Sequence, residues 1–435
     1  MLTAAMWTLA AISTVGLIAG LRQQQSRWNV TAVFVLAFAW VVNAPSFIGA
    51  ITGRFVIRYD PTVQADVRLL LDANTTVRNY LLAAITALAV GLILWALPRR
   101  PEIRSTGLLA LALCLLTNIS NAGIGLPVVT PGSICLVAVL VATMLLPRGR
   151  TMWLGPAVFG VTMVIASAVL AAVDPARATY LCRTDKCGPL GVLITGVTQS
   201  ENALALALAL SFPFVYLAFT GRVRLVLTTC VLTMIYLSGN RTALVAVVPA
   251  LLLIPLLRPA NETRYPAGET FGRLFIGALA VIGLALPFAP WIDQNSFTTR
   301  GYLWTVALER LSNEPWLGFG ASGWARLVQE GAIGQAAIYS AHNQWIDVLY
   351  AGGIVGLALF ALWLYFLVRE GRTEVRVLTF VLAPALAAGI TERPWSFGLP
   401  DWLTWSVLAV MLTAGRDEST AAADLEPRRR DLVKR

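Results

Sequence analysis

The chain has 435 residues, of which 57% are hydrophobic and 13% charged. A soluble domain carries about 25% charged residues, so that class is excluded and a polytopic membrane protein is expected. The formal net charge of +10 then reads as membrane topology and not as a nucleic-acid footprint, because the basic residues lie in short loops and not along one helix face.

Apolar runs long enough to cross about 30 Å of hydrocarbon recur from end to end. Thirteen are read, at 3–20, 29–50, 79–97, 107–123, 129–147, 153–173, 200–220, 223–239, 242–257, 272–290, 344–368, 375–390 and 400–414. Twelve is a fair alternative, since 107–123, 129–147 and 400–414 are the weakest. The expected fold class is all-α: a polytopic bundle of 12–13 transmembrane helices forming one integral membrane domain over 1–414. The polar tail 415–435 is expected to be disordered.

Loop charge alternates along the chain. Loops carrying Arg22, Arg99 and Arg104, Arg148 and Arg150, Arg222 and Arg224, Arg258 and Arg273, Arg369 and Arg376, and the tail run Arg428-Arg429-Arg430, are cytoplasmic by the positive-inside rule. The C-terminus is then cytoplasmic and the N-terminus faces out. No basic region precedes the first span, so it does not read as a cleaved signal. The outer face receives 52–78, the loop around Cys182 and Cys187, the Ser238-Gly239-Asn240-Arg241-Thr242 junction, the long loop 291–341 and Thr391-Glu392-Arg393-Pro394. Abundant Ala, Leu and Arg, with only Lys186 and Lys434 as lysines, point to a GC-rich bacterial genome and a plasma-membrane protein.

The chemically interesting residues gather on that outer face. Cys114, Cys135 and Cys230 sit inside apolar runs and read as small buried hydrophobes. Cys182 and Cys187 flank Arg183-Thr184-Asp185-Lys186. No His or further Cys accompanies them, so a small disulfide loop is expected rather than a metal clip, with little bearing on the chemistry. Glu201 and Asn202 open an apolar helix, where an acid or amide suits the N-terminal turn. Arg241 stands at a membrane boundary almost without a loop, either snorkelling or holding an anion. Arg300 begins an amphipathic stretch in which Trp304, Ala307, Leu308 and Leu311 recur at helical spacing, a helix expected to lie along the membrane surface. His342, the single histidine, re-enters the membrane in Ser340-Ala341-His342-Asn343-Gln344; it is either a helix cap or a group that takes and gives protons near neutral pH.

Two guanidinium groups and one imidazole on one membrane face suggest a chemistry. The planar Arg fork matches phosphate oxygens and stays charged. Two of them can hold a diphosphate and offset charge building on it as it leaves, while a neutral His accepts the proton of an attacking hydroxyl. Nucleotide sugars and ATP are cytoplasmic, so an outer-face reaction draws on a lipid-carried donor. The sum is glycosyl or phosphoryl transfer from a lipid diphosphate. Two other classes compete: a transporter or flippase for a lipid-linked glycan, in which repeats and mid-bilayer polar residues are expected, and a non-catalytic membrane partner.

The segments Gly196…Asn202-Ala203-Leu204-Ala205, Ser238-Gly239-Asn240-Arg241-Thr242-Ala243-Leu244, Arg300…Trp304 with Glu314-Pro315-Trp316-Leu317-Gly318-Phe319-Gly320, and Ala341-His342-Asn343-Gln344…Gly352-Gly353-Ile354-Val355-Gly356 come in an order that resembles the O-antigen ligase and O-antigen polymerase superfamily. The resemblance covers about 190–365. It implies an all-helical glycosyltransferase of the C type, inverting, with no metal and no cofactor. Such an enzyme passes a glycan from a polyprenyl diphosphate to an acceptor hydroxyl on a glycan, lipid or protein, at the periplasmic side of the bacterial inner membrane. Carried onto this chain, His342 is the base, Arg241 and Arg300 bind the diphosphate, and Glu201 and Asn202 are acceptor-side or structural. Asn343 follows the histidine where ligases often have a small residue such as Ser, so ligase and polymerase both stay open.

Overall fold

The computed structural model describes residues 2–24, 28–53, 55–60, 65–70, 72–99, 101–147, 150–183, 186–257, 266–334, 340–371 and 375–414. The tail 415–435 and the loop arginines Arg148, Arg258 and Arg372 lie outside the described residues. Sixteen α-helices are described, α1 (Leu2–Gln23), α2 (Val30–Thr52), α3 (Asp72–Ala96), α4 (Ser105–Ile119), α5 (Pro131–Leu145), α6 (Leu154–Val173), α7 (Pro175–Ala178), α8 (Glu201–Ala218), α9 (Gly221–Ser238), α10 (Arg241–Leu253), α11 (Pro266–Ala285), α12 (Ser296–Leu311), α13 (Gly323–Gln329), α14 (Gln344–Glu370), α15 (Val375–Gly389) and α16 (Trp405–Thr413). Two small antiparallel hairpins interrupt them: β1 (Phe55–Asp60) pairs with β2 (Ala65–Leu70), and β3 (Thr179–Leu181) with β4 (Val192–Ile194). The protein is an all-α polytopic membrane bundle.

Each of the thirteen expected spans is a helix, but they differ in reach. Among the described residues nine helices are long and apolar enough to cross a membrane, while α5, α10 and α15 are shorter apolar helices and α16 has only 9 residues. Pro249 and Pro384 lie inside α10 and α15, where proline removes an intrahelical hydrogen bond. Helix α3 starts at Asp72, ahead of the expected 79, because its first turns carry the polar residues Asn74, Thr75 and Thr76 and only later become apolar.

Helix α8 alternates Leu and Ala around its whole circumference, and residues 203–215 are all buried. A helix apolar all round belongs at the centre of its bundle. It packs on α6, α9, α10 and α15, with α1 and α2 outside α6. A second, smaller core lies at one end: Leu303, Trp304 and Ala307 of α12 pack with Trp324, Leu327, Ile333, Ala341, Ile346 and Tyr350. The apolar face of α12, expected to rest on the membrane surface, is therefore seated on protein.

Helix α14 is broken at Gly353, which has φ 63° and ψ −163°. The strand of chain at 315–320 runs against the break and satisfies it. Ile354 N donates to Pro315 O (2.9 Å) and Val355 N to Trp316 O (3.2 Å). In return Phe319 N donates to Tyr350 O (2.8 Å) and Gly320 N to Ala351 O (2.9 Å). Unpaired backbone groups in an apolar medium cost several kcal/mol each, and these four bonds remove that cost. A Cβ at Gly353 would run into the Trp316 carbonyl. The Pro-Trp-Leu-Gly-Phe-Gly and Gly-Gly-Ile-Val-Gly runs are thus the two halves of one backbone junction.

The 27 residues of α14 rise about 40 Å. At its far end Glu370 accepts from Thr106 N (3.2 Å) and Thr106 Oγ1 (2.7 Å), close to Arg104 and Arg369. At its near end stands His342.

Candidate active site

His342 occupies the left-handed region, φ 53°, a conformation uncommon for a non-glycine residue and more frequent for His than for most. Its own loop holds it there. His342 N donates to Ser340 Oγ (3.2 Å), and Trp304 Nε1 donates to Ala341 O (2.9 Å). Asn343 caps α14 by accepting from Trp345 N and Ile346 N, both at 2.9 Å. The ring nitrogen Nδ1 lies 2.8 Å from Glu392 Oε2, and the other carboxylate oxygen of Glu392 takes the guanidinium of Arg300. Glu392 is 6% exposed and His342 28%, so the carboxylate is sealed and the imidazole reaches the surface.

Burial by itself would raise the Glu392 carboxyl, but Arg300, His342 and Lys186 together outweigh it and hold it down at about 2. An ionised carboxylate only accepts hydrogen bonds. His342 Nδ1 is therefore the donor, and in the neutral ring the lone pair falls on Nε2. Glu392 sets the tautomer.

Three contacts fix the register of the Glu392 segment against the start of α14. Asn343 Nδ2 donates to Ile390 O (2.9 Å). Gln344 brackets Trp395, donating to its carbonyl (3.1 Å) and accepting from its N–H (2.9 Å). Arg393, next to Glu392, turns the opposite way and meets Asp347 Oδ2 (3.5 Å) and Asp401 Oδ2 (2.8 Å). Burial would lower the Arg393 guanidinium, but those two carboxylates raise it above its ordinary value, so it stays charged.

A second cluster is built around Lys186. Lys186 Nζ donates to Glu201 Oε1 (2.8 Å) and to Asn202 Oδ1 (2.7 Å). Asn202 Oδ1 also accepts from Asn240 Nδ2, and Asn240 caps α10 by accepting from Ala243 N (2.6 Å). Arg241, exposed at the first turn of α10, adjoins the cluster through Asn240. A cavity of about 410 Å³ opens along Gln294, Asn295, Thr299, Tyr302 and Gly331 to Gly334. Thr299, directly before Arg300, has φ 67°.

The structure thus brings His342 and Arg300 onto one carboxylate and Glu201 and Asn202 onto one ammonium, with Arg241 beside the latter. Cys182 and Cys187 form a disulfide in the β3–β4 hairpin. Sequence reasoning gave no role to Glu392, Lys186, Asp347 or Arg393. The available signals were an acid and a base side by side in an outer-face loop, and a lysine in a chain that otherwise uses arginine.

A family model described as O-antigen ligase matches residues 225–361, a stretch that holds Arg241, Arg300 and His342 but not Lys186, Glu201, Asn202 or Glu392. An O-antigen ligase of Pseudomonas aeruginosa is 31% identical over 263 residues, which cover 55% of this chain and 62% of that protein. The matched stretch takes in the broken α14, the Asn240-Arg241 turn and the Arg300 helix. Over that stretch the chain is similar to the O-antigen ligase family, and it spans about three fifths of the length of the relative it matches.

Proposed function

We propose that the protein transfers a glycan from a polyprenyl diphosphate to an acceptor hydroxyl, at the periplasmic face of a bacterial inner membrane. The observation that carries this reading is the Nδ1 contact of His342 with an ionised Glu392, which leaves Nε2 as a proton acceptor at a partly exposed position. The acceptor oxygen attacks the anomeric carbon, the bond from that carbon to the phosphate oxygen breaks, and the hydroxyl proton passes to His342 Nε2. Glu392 offsets the positive charge that forms on the ring, as an orienting carboxylate does beside a catalytic histidine. Arg300 and Arg241 hold the departing diphosphate. Attack from the face opposite the leaving group inverts the anomeric centre. The amides of Gln294 and Asn295 along the cavity beside Thr299 match sugar hydroxyls.

Ligase and polymerase share these steps and differ in the acceptor, so a series of lipid-anchored core and free glycan acceptors separates them. The chemistry is tested with purified wild type and His342→Ala, a polyprenyl-diphosphate glycan and an acceptor pool. The variant is expected to lose about 10³-fold in transfer while keeping donor binding. Equal transfer by both proteins would remove His342 from the reaction, and accumulation of lipid-linked glycan in the inner leaflet on loss of the gene would favour a flippase.

A further inference from the structure

We propose that Lys186 is a third cation of the diphosphate subsite and that the Cys182–Cys187 bond holds it there; this rests on the donor reading above. Lys186 is enclosed by the disulfide between Cys182 and Cys187, in the hairpin of β3 and β4. The hairpin closes through paired main-chain bonds between Arg183 and Lys186, at 2.9 and 3.2 Å. Its base lies against the turn between α9 and α10. Gly239 there has φ 76°, and a Cβ on it would stand 2.9 Å from Gly188 Cα, so the hairpin and the Asn240-Arg241 turn pack backbone against backbone.

That packing brings the Lys186 side chain, 14% exposed, between two acids. It is bonded to Glu201 and Asn202 and close enough to Glu392 to help hold that carboxyl down. An ammonium carries three donors, and Glu201 and Asn202 take two. Lys186 is thus joined through Asn202 and Asn240 to the turn that carries Arg241, and its charge also acts on the Glu392 carboxylate that pairs with Arg300, which suits a cation that helps hold a diphosphate. Lys186 directly precedes Cys187 of the cross-link, so the position of its ammonium depends on that bond.

The alternative is a strut, with Lys186 merely fastening the hairpin to α8. The two roles separate in a kinetic test on the full-length protein. Wild type, Lys186→Gln, Lys186→Arg and the double variant Cys182→Ser/Cys187→Ser are assayed with varied polyprenyl-diphosphate glycan and varied acceptor, each with and without a phosphine reductant. The phosphine takes up oxygen from water as the S–S bond becomes two thiols. Lys186→Gln is expected to raise donor KM at least tenfold with acceptor KM unchanged, and Lys186→Arg to restore most of it. Reduction and the double serine variant are expected to raise donor KM of the wild-type lysine form, while reduction adds nothing to Lys186→Gln. An unchanged donor KM in a Lys186→Gln protein that melts as wild type does overturns the inference. So does reduction that weakens Lys186→Gln as much as wild type, because the cross-link then acts on the fold and not through Lys186. Wild type that neither binds nor transfers the donor overturns the donor reading itself, and this inference with it.

Discussion

Glu392 and Arg393 are adjacent in the chain and opposite in use. Glu392 turns toward Arg300 and an imidazole that is 28% exposed. Arg393 turns inward between Asp347 and Asp401, with all three side chains 13% exposed or less. Both are charge-paired groups beside α14, yet one ends at a side chain that can exchange protons with a ligand and the other ends between two largely buried carboxylates. A buried ion pair is weak support for stability when compared with a well-packed apolar group, but removing one partner leaves an uncompensated charge and costs about 3–5 kcal/mol. The inner triad holds the Glu392 segment against α14, and under the proposed function the outer pair carries the chemistry.

The largest effect after loss of His342 itself is expected from Glu392→Gln. The amide preserves the shape of the carboxylate but can present N–H to Nδ1, which favours the wrong tautomer, and transfer should fall by about 10². The same variant exposes a pH signature. The Glu392 carboxyl is held near 2 against an ordinary 4.5, so in the folded state it binds its proton less readily than when unfolded. Its contribution to stability is present in full well above 4.5 and is lost as pH falls from there through about 2. Melting temperatures of wild type and Glu392→Gln, measured from pH 7 down to pH 3, should converge toward the acid end; a constant gap would remove the charge explanation.

Arg300→Lys is expected to lower transfer about tenfold or more, since a point charge cannot keep Glu392 and hold a phosphate fork together. Wild-type activity in that variant would take Arg300 out of the diphosphate role. The inner triad responds in a different observable. Arg393→Leu alone should cost about 3–5 kcal/mol, read as a lowered unfolding midpoint in detergent. Replacing Arg393, Asp347 and Asp401 together by apolar residues should recover much of that stability, whereas no apolar replacement at Glu392 and Arg300 should recover transfer. If the triple variant stays as unstable as the single one, the loss does not come from uncompensated charge on Asp347 and Asp401. The smallest effect is expected at Arg326, whose pair with Glu330 is exposed. Arg326→Ala should change stability by less than about 1 kcal/mol and leave transfer alone.

The helices were legible because hydrocarbon demands long apolar runs, and every run read from 3–20 to 400–414 is a helix. Their lengths were less legible: α16 begins only at Trp405, because the chain at 390–404 is non-helical and is tied to the start of α14 through Asn343, Gln344 and Asp347. The helix at 296–311 showed its amphipathic face in Trp304 and Ala307, but periodicity does not say whether a face meets lipid or protein, and it meets protein. At the site, His342, Arg241 and Arg300 stood out because a lone imidazole and boundary guanidiniums are costly near lipid. Glu392 did not, since a carboxylate before Arg393 and Pro394 looks like any outer-loop charge until the fold carries it across 50 residues to His342. Lys186 was hidden inside a disulfide loop that read as structural. Ion pairs over such separations depend on tertiary approach, which composition and spacing do not encode.

The junction at Gly353 has a consequence for hydrogen exchange. The amides of Phe319, Gly320, Ile354 and Val355 belong to no regular ladder, yet each is bonded across two distant stretches of chain. None can open alone without parting the others, so they should exchange with deuterium as one cooperative unit, slowly and at a common rate. The 315–320 segment would then share the protection of the helix it repairs, and a label placed there would report the opening of α14.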